Sequence, residues 1–432
     1  MSEIRTIADK LDGMIKNKGL EKYTYTLSQS EKQELNLENG EFKLMRTLFN
    51  NNGGIKVFLG SRMGAVSGHD ITDEGLEMLI ADGIAAAESA EEDPCHDIAP
   101  DQGKDVFKQG ALEPDLDRFI ERIKEFLATV AKDYPKIRIM SSTGSYDRWN
   151  WISRNSNGTE FEGFGGRYIF SIEICASDGE KTTGLDYTGF VTADLGRPFI
   201  EMADLKEKLE NVQMSLDPVP LEGKFEGTIL MTPGQAGGFI GMSLFNFASS
   251  GGIIDGTALW KDKIDQQVAS EKLSVALRPF DERIVMGERA TGSGFRVEEA
   301  ELIDKGVLKR HMLNLYAANK TGRPILKNTG FDLVVEPGDK TYAEILASID
   351  KGLLLGGFSG GQPGANGEFS AVAKNSFLIE NGKIKCAVTE TMINGNLAEV
   401  MKNITAISKE QICDGGSVVP YIAASGVVIS GK

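Results

Sequence analysis

The chain of 432 residues has few of the side chains that usually build a self-contained metal or redox centre. It has three histidines, His69, His96 and His311, and no two stand at the i, i+4 spacing that turns both imidazoles to one face of a helix around zinc. That disfavours a self-contained zinc hydrolase of the common kinds. The four cysteines, Cys95, Cys175, Cys386 and Cys413, lie far apart and form no CxxC pair. Neither a disulfide framework nor a zinc knuckle is expected, and a reducing compartment is. Positive charge is also short, with 47 Lys and Arg against 63 Asp and Glu, a formal net charge of −16. Such a chain repels phosphate backbones and anionic lipid, and no cluster of Lys and Arg offsets this, so neither nucleic acid nor a membrane surface is an expected partner. No stretch of about 20 apolar residues occurs. The opening MSEIRTIADKLDGMIKNKG carries charges throughout and lacks the apolar core of a signal peptide, so a cytoplasmic protein is expected. No GxxxxGK[ST] or GxGxxG run supports nucleotide binding.

Glycine is abundant, at 50 residues. The glycines follow no collagen-like period and read as tight turns, bulges and close backbone approaches. Residues 2–18 place Ile4, Ile7, Ala8, Leu11, Met14 and Ile15 at helical spacing. Asn39-Gly40 lies between two strand-like runs and predicts a hairpin through a type I′ turn. Asp73 is the expected cap of a helix reaching about Ala90, and residues 115–133 form another amphipathic helix. Between them, residues 91–114 are acidic, contain three prolines and show no periodicity, so they read as a long connection. Glu91, Glu92, Asp93, Cys95, His96 and Asp97 have no zinc or EF-hand spacing, which makes them a solvated linker. A β-rich stretch from Lys136 to Ala193 and a charged helix at about 201–214 complete the first half.

The Pro/Gly stretch at 216–223 is the expected boundary between domains 1–215 and 222–432. From Gly227 to Ile254 no residue is charged, although one residue in four is charged overall. The segment is too polar for a bilayer and reads as a buried Gly-rich helix with flanking loops, of the kind that lines a cleft. Two hairpins with Lys305-Gly306 and Asn381-Gly382 at their turns echo each other farther on. The fold class expected is α+β in two domains, β-rich, with antiparallel sheets and flanking helices.

Gly357-Phe358-Ser359-Gly360-Gly361 matches the GxSxG of a nucleophile elbow, but Gln362-Pro363-Gly364-Ala365-Asn366-Gly367 cannot form the helix that the elbow needs after its serine. A Gly-rich loop is expected instead. Cys413 is a candidate reactive thiol, although a buried inert thiol is the commoner case.

Two segments carry a family likeness: GSGFRVEEAELIDKGVLKRHMLNLYAANKTG at 292–322, and GEFSAVAKNSFLIENGKIKCAVTETMINGNLAEVMKNITAI at 367–407. With GSRMGAVSGHDIT in the first half, they make the chain resemble the TldD/PmbA (TldD/TldE) metallopeptidase family, historically labelled modulators of DNA gyrase. In the TldD-type subunit an HExxxH helix follows a strand ending in Pro-Gly and holds the metal. The resemblance places Gly241 and Met242 of this chain where the first His and the Glu would stand, Asn246 where the second His would stand, and Cys413 near a C-terminal ligand position. None of Gly241, Met242 and Asn246 can replace those groups. The resemblance thus implies the TldE/PmbA-like branch, a non-catalytic subunit that binds no metal itself. It also implies a TldD-type partner carrying zinc and an unfolded or extended peptide as substrate. A homodimer of the lone chain is a further expectation. The competing expectations are a self-sufficient peptidase with an atypical site, and a regulatory protein linked to a toxin–gyrase system.

Overall fold

The computed structural model describes residues 3–328 and 332–431. The first half contains α1 (Glu3–Asn17), β1 (Lys22–Glu38), β2 (Glu41–Leu59), β3 (Arg62–Gly68), α2 (Asp73–Ser89), β4 (Lys104–Gly110) and α3 (Leu116–Asp133). It continues with β5 (Ile137–Asn155), β6 (Glu160–Ala176), β7 (Asp186–Thr192) and α4 (Leu205–Met214). The strands form one sheet in the order β3-β2-β1-β5-β6-β4, with β7 also pairing β6, and every pair is antiparallel except β4 with β6. The β1–β2 hairpin turns at Asn39 and Gly40, both at positive φ as the Asn-Gly signal requires.

Strand alternation sends one face of this sheet into two apolar clusters. Tyr25, Leu27, Ile55, Val57 and Ile152 meet the buried stripes of α1 (Ile4, Ala8, Leu11, Ile15) and α2 (Leu76, Leu79, Ile80). Farther along the same face, Leu35, Leu37, Tyr146, Tyr168, Phe170 and Ile172 meet α3 (Phe119, Ile123, Phe126, Val130) and α4 (Leu205, Leu209, Val212).

Two details differ from expectation. The cap of α2 is Thr72, whose side-chain oxygen accepts from the Gly75 amide at 3.3 Å, and Asp73 is the first helical residue. The connection at 91–114 contains β4, which lies parallel to β6. Its side chains alternate only between half-buried and exposed, so no apolar period marks it, and its place is fixed by backbone pairing with a glycine-rich neighbour. At Gly166 of that neighbour a Cβ would lie 2.0 Å from the Ala111 carbonyl oxygen, which explains the glycine.

The second half begins after Met214, with β8 (Val219–Pro220), β9 (Lys224–Met231), α5 (Pro233–Ala248), α6 (Ser250–Ile254), β10 (Val275–Leu277), β11 (Ala300–Asp304) and β12 (Val307–Leu308). Then come α7 (Leu315–Thr321), β13 (Leu333–Val335), α8 (Tyr342–Ala347), β14 (Lys351–Leu355), β15 (Gly357–Ser359), β16 (Glu368–Lys374) and β17 (Ser376–Glu380). Last are β18 (Lys383–Thr389), β19 (Met392–Asn396), α9 (Leu397–Lys402), β20 (Ile404–Cys413) and β21 (Val418–Ser430). The main path of this sheet runs β12-β11-β10-β13-β21-β9-β14-β17-β18-β8. Strand β21 pairs with β9, β13, β19 and β20. The turns of β11–β12 and β17–β18 both carry two consecutive positive φ residues, Lys305-Gly306 and Asn381-Gly382, as their shared pattern predicts. The chain is therefore a β-rich α+β molecule with mostly antiparallel sheets and flanking helices.

The halves meet through specific polar contacts. The Tyr421 hydroxyl of β21 donates to the Glu207 carboxylate of α4, and the Tyr342 ring packs on Tyr421 at 4.5 Å. Burial pushes the Glu207 carboxyl above its ordinary range, an effect only partly offset by the Tyr421 hydrogen bond. Arg296 pairs with Asp105 of β4, and the Ala99 amide donates to the Ser293 carbonyl at 2.9 Å.

Candidate functional site

Strand β9 enters the charge-free segment and ends at Met231; Thr232 is the cap position, and Pro233 supplies the first residue of α5. Four glycines, Gly234, Gly237, Gly238 and Gly241, oppose helix formation. The buried residues Ala236, Phe239, Ile240, Ser243, Leu244, Phe247 and Ala248 recur at helical spacing and hold α5 against the sheet. Phe239 meets Phe358 and Phe369 edge to face at 5.4 and 5.7 Å, and Phe247 meets Trp260 at 5.2 Å.

The outward face of α5 carries Gly234, Gly238, Gly241 and Phe245, all exposed. A Cβ built on any of these three glycines meets nothing within 4 Å, so the helix backbone itself is the surface there. Phe245 is 72% exposed at its end. Beside it runs the loop after β15, in which Gly360, Gly361 and Gly367 have positive φ. The loop joins α5 where the Asn246 side-chain amide donates to the Pro363 carbonyl at 3.5 Å. No helix follows Ser359, so the GxSxG match is a Gly-rich loop and not an elbow.

The structure brings Gly241, Met242 and Asn246 together on α5. Gly241 has no side-chain donor. Met242 is half-buried against the core, and its thioether is a soft, weak ligand. The Asn246 amide nitrogen is spent on the Met242 carbonyl at 3.0 Å and on Pro363.

Cys413 is not brought to this place. It packs with Ile284, Val334 and Val418, whereas Val419 faces the cluster that contains α5. Since neighbours on a strand point to opposite faces, Cys413 lies on the far side of the sheet. Its thiol donates to the Arg283 carbonyl at 3.2 Å, and burial raises its pKa.

The remaining donors are equally scattered. His69 bonds the Asn51 carbonyl, His96 stacks on Tyr316 at 4.5 Å, and His311 bonds the Trp260 carbonyl. Among the described residues no group of three or more His, Cys, Asp or Glu side chains is placed to hold a metal. The residues at the α5 positions do not fit zinc. Among the described residues no helix is long and apolar enough to cross a membrane.

One cavity was not anticipated. About 690 Å³ opens beside β11, lined by Arg278, Glu301, Lys309, Arg310, His311 and Arg323 among others. The only sequence sign of it is the short run Lys309-Arg310-His311, too brief to stand out in an acidic chain.

Residues 224–431, which span this whole site, match the model of the PmbA/TldA metallopeptidase C-terminal domain. The C-terminal half of the chain belongs to the PmbA/TldD family. A metalloprotease of Methanocaldococcus jannaschii is 24% identical over 404 residues, covering 88% of each chain. The metalloprotease PmbA of Escherichia coli O157:H7 is 23% identical over 404 residues, covering 88% of this chain and 87% of its own. The fold matches the crystal structure of TldE from Thermococcus kodakarensis with a TM-score of 0.84 at 21% identity, over 98% of this chain and 100% of that one. The family likeness read from residues 292–322 and 367–407 is thus confirmed by independent comparison.

Proposed function

We propose that this chain is the TldE/PmbA-like, non-catalytic subunit of a cytoplasmic metallopeptidase that acts on unfolded or extended peptides. A homologous TldD-type subunit would complete the site and carry the zinc. The observation that carries this reading is α5 itself. Family membership implies metallopeptidase chemistry on this helix, yet its positions 241, 242 and 246 hold glycine, methionine and asparagine. A peptidase needs a metal-bound water and a group to accept its proton, and these residues supply neither. What α5 does supply is a bare, uncharged backbone face beside a Gly-rich loop, a surface suited to the wall of a peptide chamber.

The zinc content of the purified full chain tests this. After incubation with excess zinc and desalting, the expected result is metal well below one per chain and no chelator-sensitive peptide hydrolysis. Both should appear only when a TldD-type subunit is added. About one tightly held metal per chain, or chelator-sensitive hydrolysis by the chain alone, overturns the reading in favour of a self-sufficient peptidase.

A further inference from the structure

The cavity of about 690 Å³ beside β11 plays no part in the reading of α5. It lies past the C-terminal end of that helix, where the Met312 amide donates to the Ala248 carbonyl at 2.8 Å and the neighbouring His311 lines the cavity. Its size is that of a small-molecule site. Ile264, Pro324 and Ile325 give it an apolar wall, and charged side chains of both signs surround the rest. Most of these charges are already matched. Arg278 pairs with Glu299 and Glu301, Lys309 with Asp265, and Arg323 with Asp262. Two are not. Arg310 and Asp304 line the cavity with no side-chain hydrogen bond or ion pair among the described residues.

His311 adds a third open group. The side chain is buried, and desolvation lowers its pKa, so the ring is neutral at pH 7. Its Nε2 lies 2.9 Å from the Trp260 carbonyl, which only accepts. Nε2 therefore carries the hydrogen, and Nδ1 is left as an acceptor. The backbone sets the spacing of the two unmatched charges. A register shift opposite Val275 and Ala276 puts an extra residue into β11. Leu302 and Ile303 are consequently both buried, while Glu301 and Asp304 are both exposed. The Lys309 amide donates to the Leu302 carbonyl at 2.8 Å, so Arg310 follows toward the Glu301 end and Asp304 stands at the hairpin end. Along the strand they are separated by roughly 7–10 Å.

We infer that this cavity binds a short zwitterionic peptide, two or three residues long, with its carboxylate on Arg310, its ammonium on Asp304 and an apolar side chain against Ile264, Pro324 and Ile325. An extended peptide advances about 3.3–3.6 Å per residue, so its two charged ends match the spacing at that length. A free amino acid holds its charges too close together, and a long peptide brings at most one of them here. The guanidinium fork takes a carboxylate through two parallel N–H donors, and His311 Nδ1 accepts from a peptide N–H. The site needs neither zinc nor a second subunit, so it goes beyond the subunit reading and does not depend on it.

Isothermal titration of the full chain with leucyl-alanyl-leucine tests the inference, with a chelator present throughout so that binding is read without turnover. The free tripeptide is expected to bind saturably, one per chain. N-acetylation and C-amidation each remove one charged contact, and each should weaken binding roughly tenfold or more. Asp304→Asn should bind the free and acetylated forms alike while still rejecting the amide, and Arg310→Gln should do the reverse. Both side chains are exposed, so the circular dichroism of either variant should match the wild type. Absence of saturable binding, equal binding of the capped forms, equal binding of leucine alone, or variants that keep the wild-type discrimination overturns the inference. Zinc content and peptidase activity are read separately, so this proposal and the reading of α5 can each fail alone.

Discussion

Glycines 238 and 241 stand in the interior of α5 at ordinary helical φ, on its exposed face, with open space where a Cβ would go. Replacing both with alanine therefore removes no contact and forces no clash. The change acts on the unfolded chain, where glycine has the most conformational freedom to lose, and on helix propensity. Each substitution should stabilise by about 0.4–1 kcal/mol, so the pair should give roughly 1–2 kcal/mol. For a folding unit the size of the second half, that is a rise in Tm of about 3–6 °C. Gly166→Ala is the matched contrast. Its Cβ would fall 2.0 Å from the Ala111 carbonyl oxygen and 2.2 Å from the Tyr146 hydroxyl, and overpacking there should cost about 2–3 kcal/mol. Thermal and urea unfolding followed by circular dichroism measure both. A lowered midpoint for the G238A/G241A variant would refute the reasoning, because it would mean that the face is packed and not open. If the stabilised variant also loses activity with a TldD-type subunit, the glycines serve the chamber at the expense of helix stability.

Phe239→Ala removes a buried ring that holds α5 to Phe358 and Phe369, and should destabilise by about 3–5 kcal/mol in urea unfolding. Glu207 has a carboxyl raised above its ordinary value of 4.5, so the folded state holds that proton more tightly than the unfolded state does. Its contribution is full below pH 4.5 and is lost as pH climbs through the raised folded value; Glu207→Gln should flatten that part of a Tm-against-pH curve. Cys413, with its thiol pKa raised by burial, should react with iodoacetamide at neutral pH more slowly than a free cysteine, as mass spectrometry of the labelled chain would show.

Much of the fold was legible because local chemistry decides it. Asn39-Gly40, Lys305-Gly306 and Asn381-Gly382 announce their turns through residues that tolerate positive φ, and each turn sits where expected. The helix α5 was marked by its missing charges. Strand β4 was not legible, because its stability comes from a neighbour more than 50 residues away and leaves no apolar period of its own. The same limit applies to the site. Spacing along one helix is a local property, so Gly241, Met242 and Asn246 could be compared with a ligand pattern directly. Whether Cys413 faces α5 depends on which side of a strand it occupies, and that is set by the pairing of β20 with β21.

The position of β21 in its sheet has a consequence for biosynthesis. This strand is made after each of the strands it joins, yet β9, β13, β19 and β20 all hydrogen-bond to it. The first sheet needs nothing beyond residue 192 and can close while translation continues. The second sheet keeps a gap at its centre until residues up to 430 have left the ribosome, and through that interval the apolar face that will cover α5 stays open to water and to other nascent chains. Chaperone dependence should therefore track the second half of the molecule, and a stalled chain ending before Val418 should be the form most prone to aggregate.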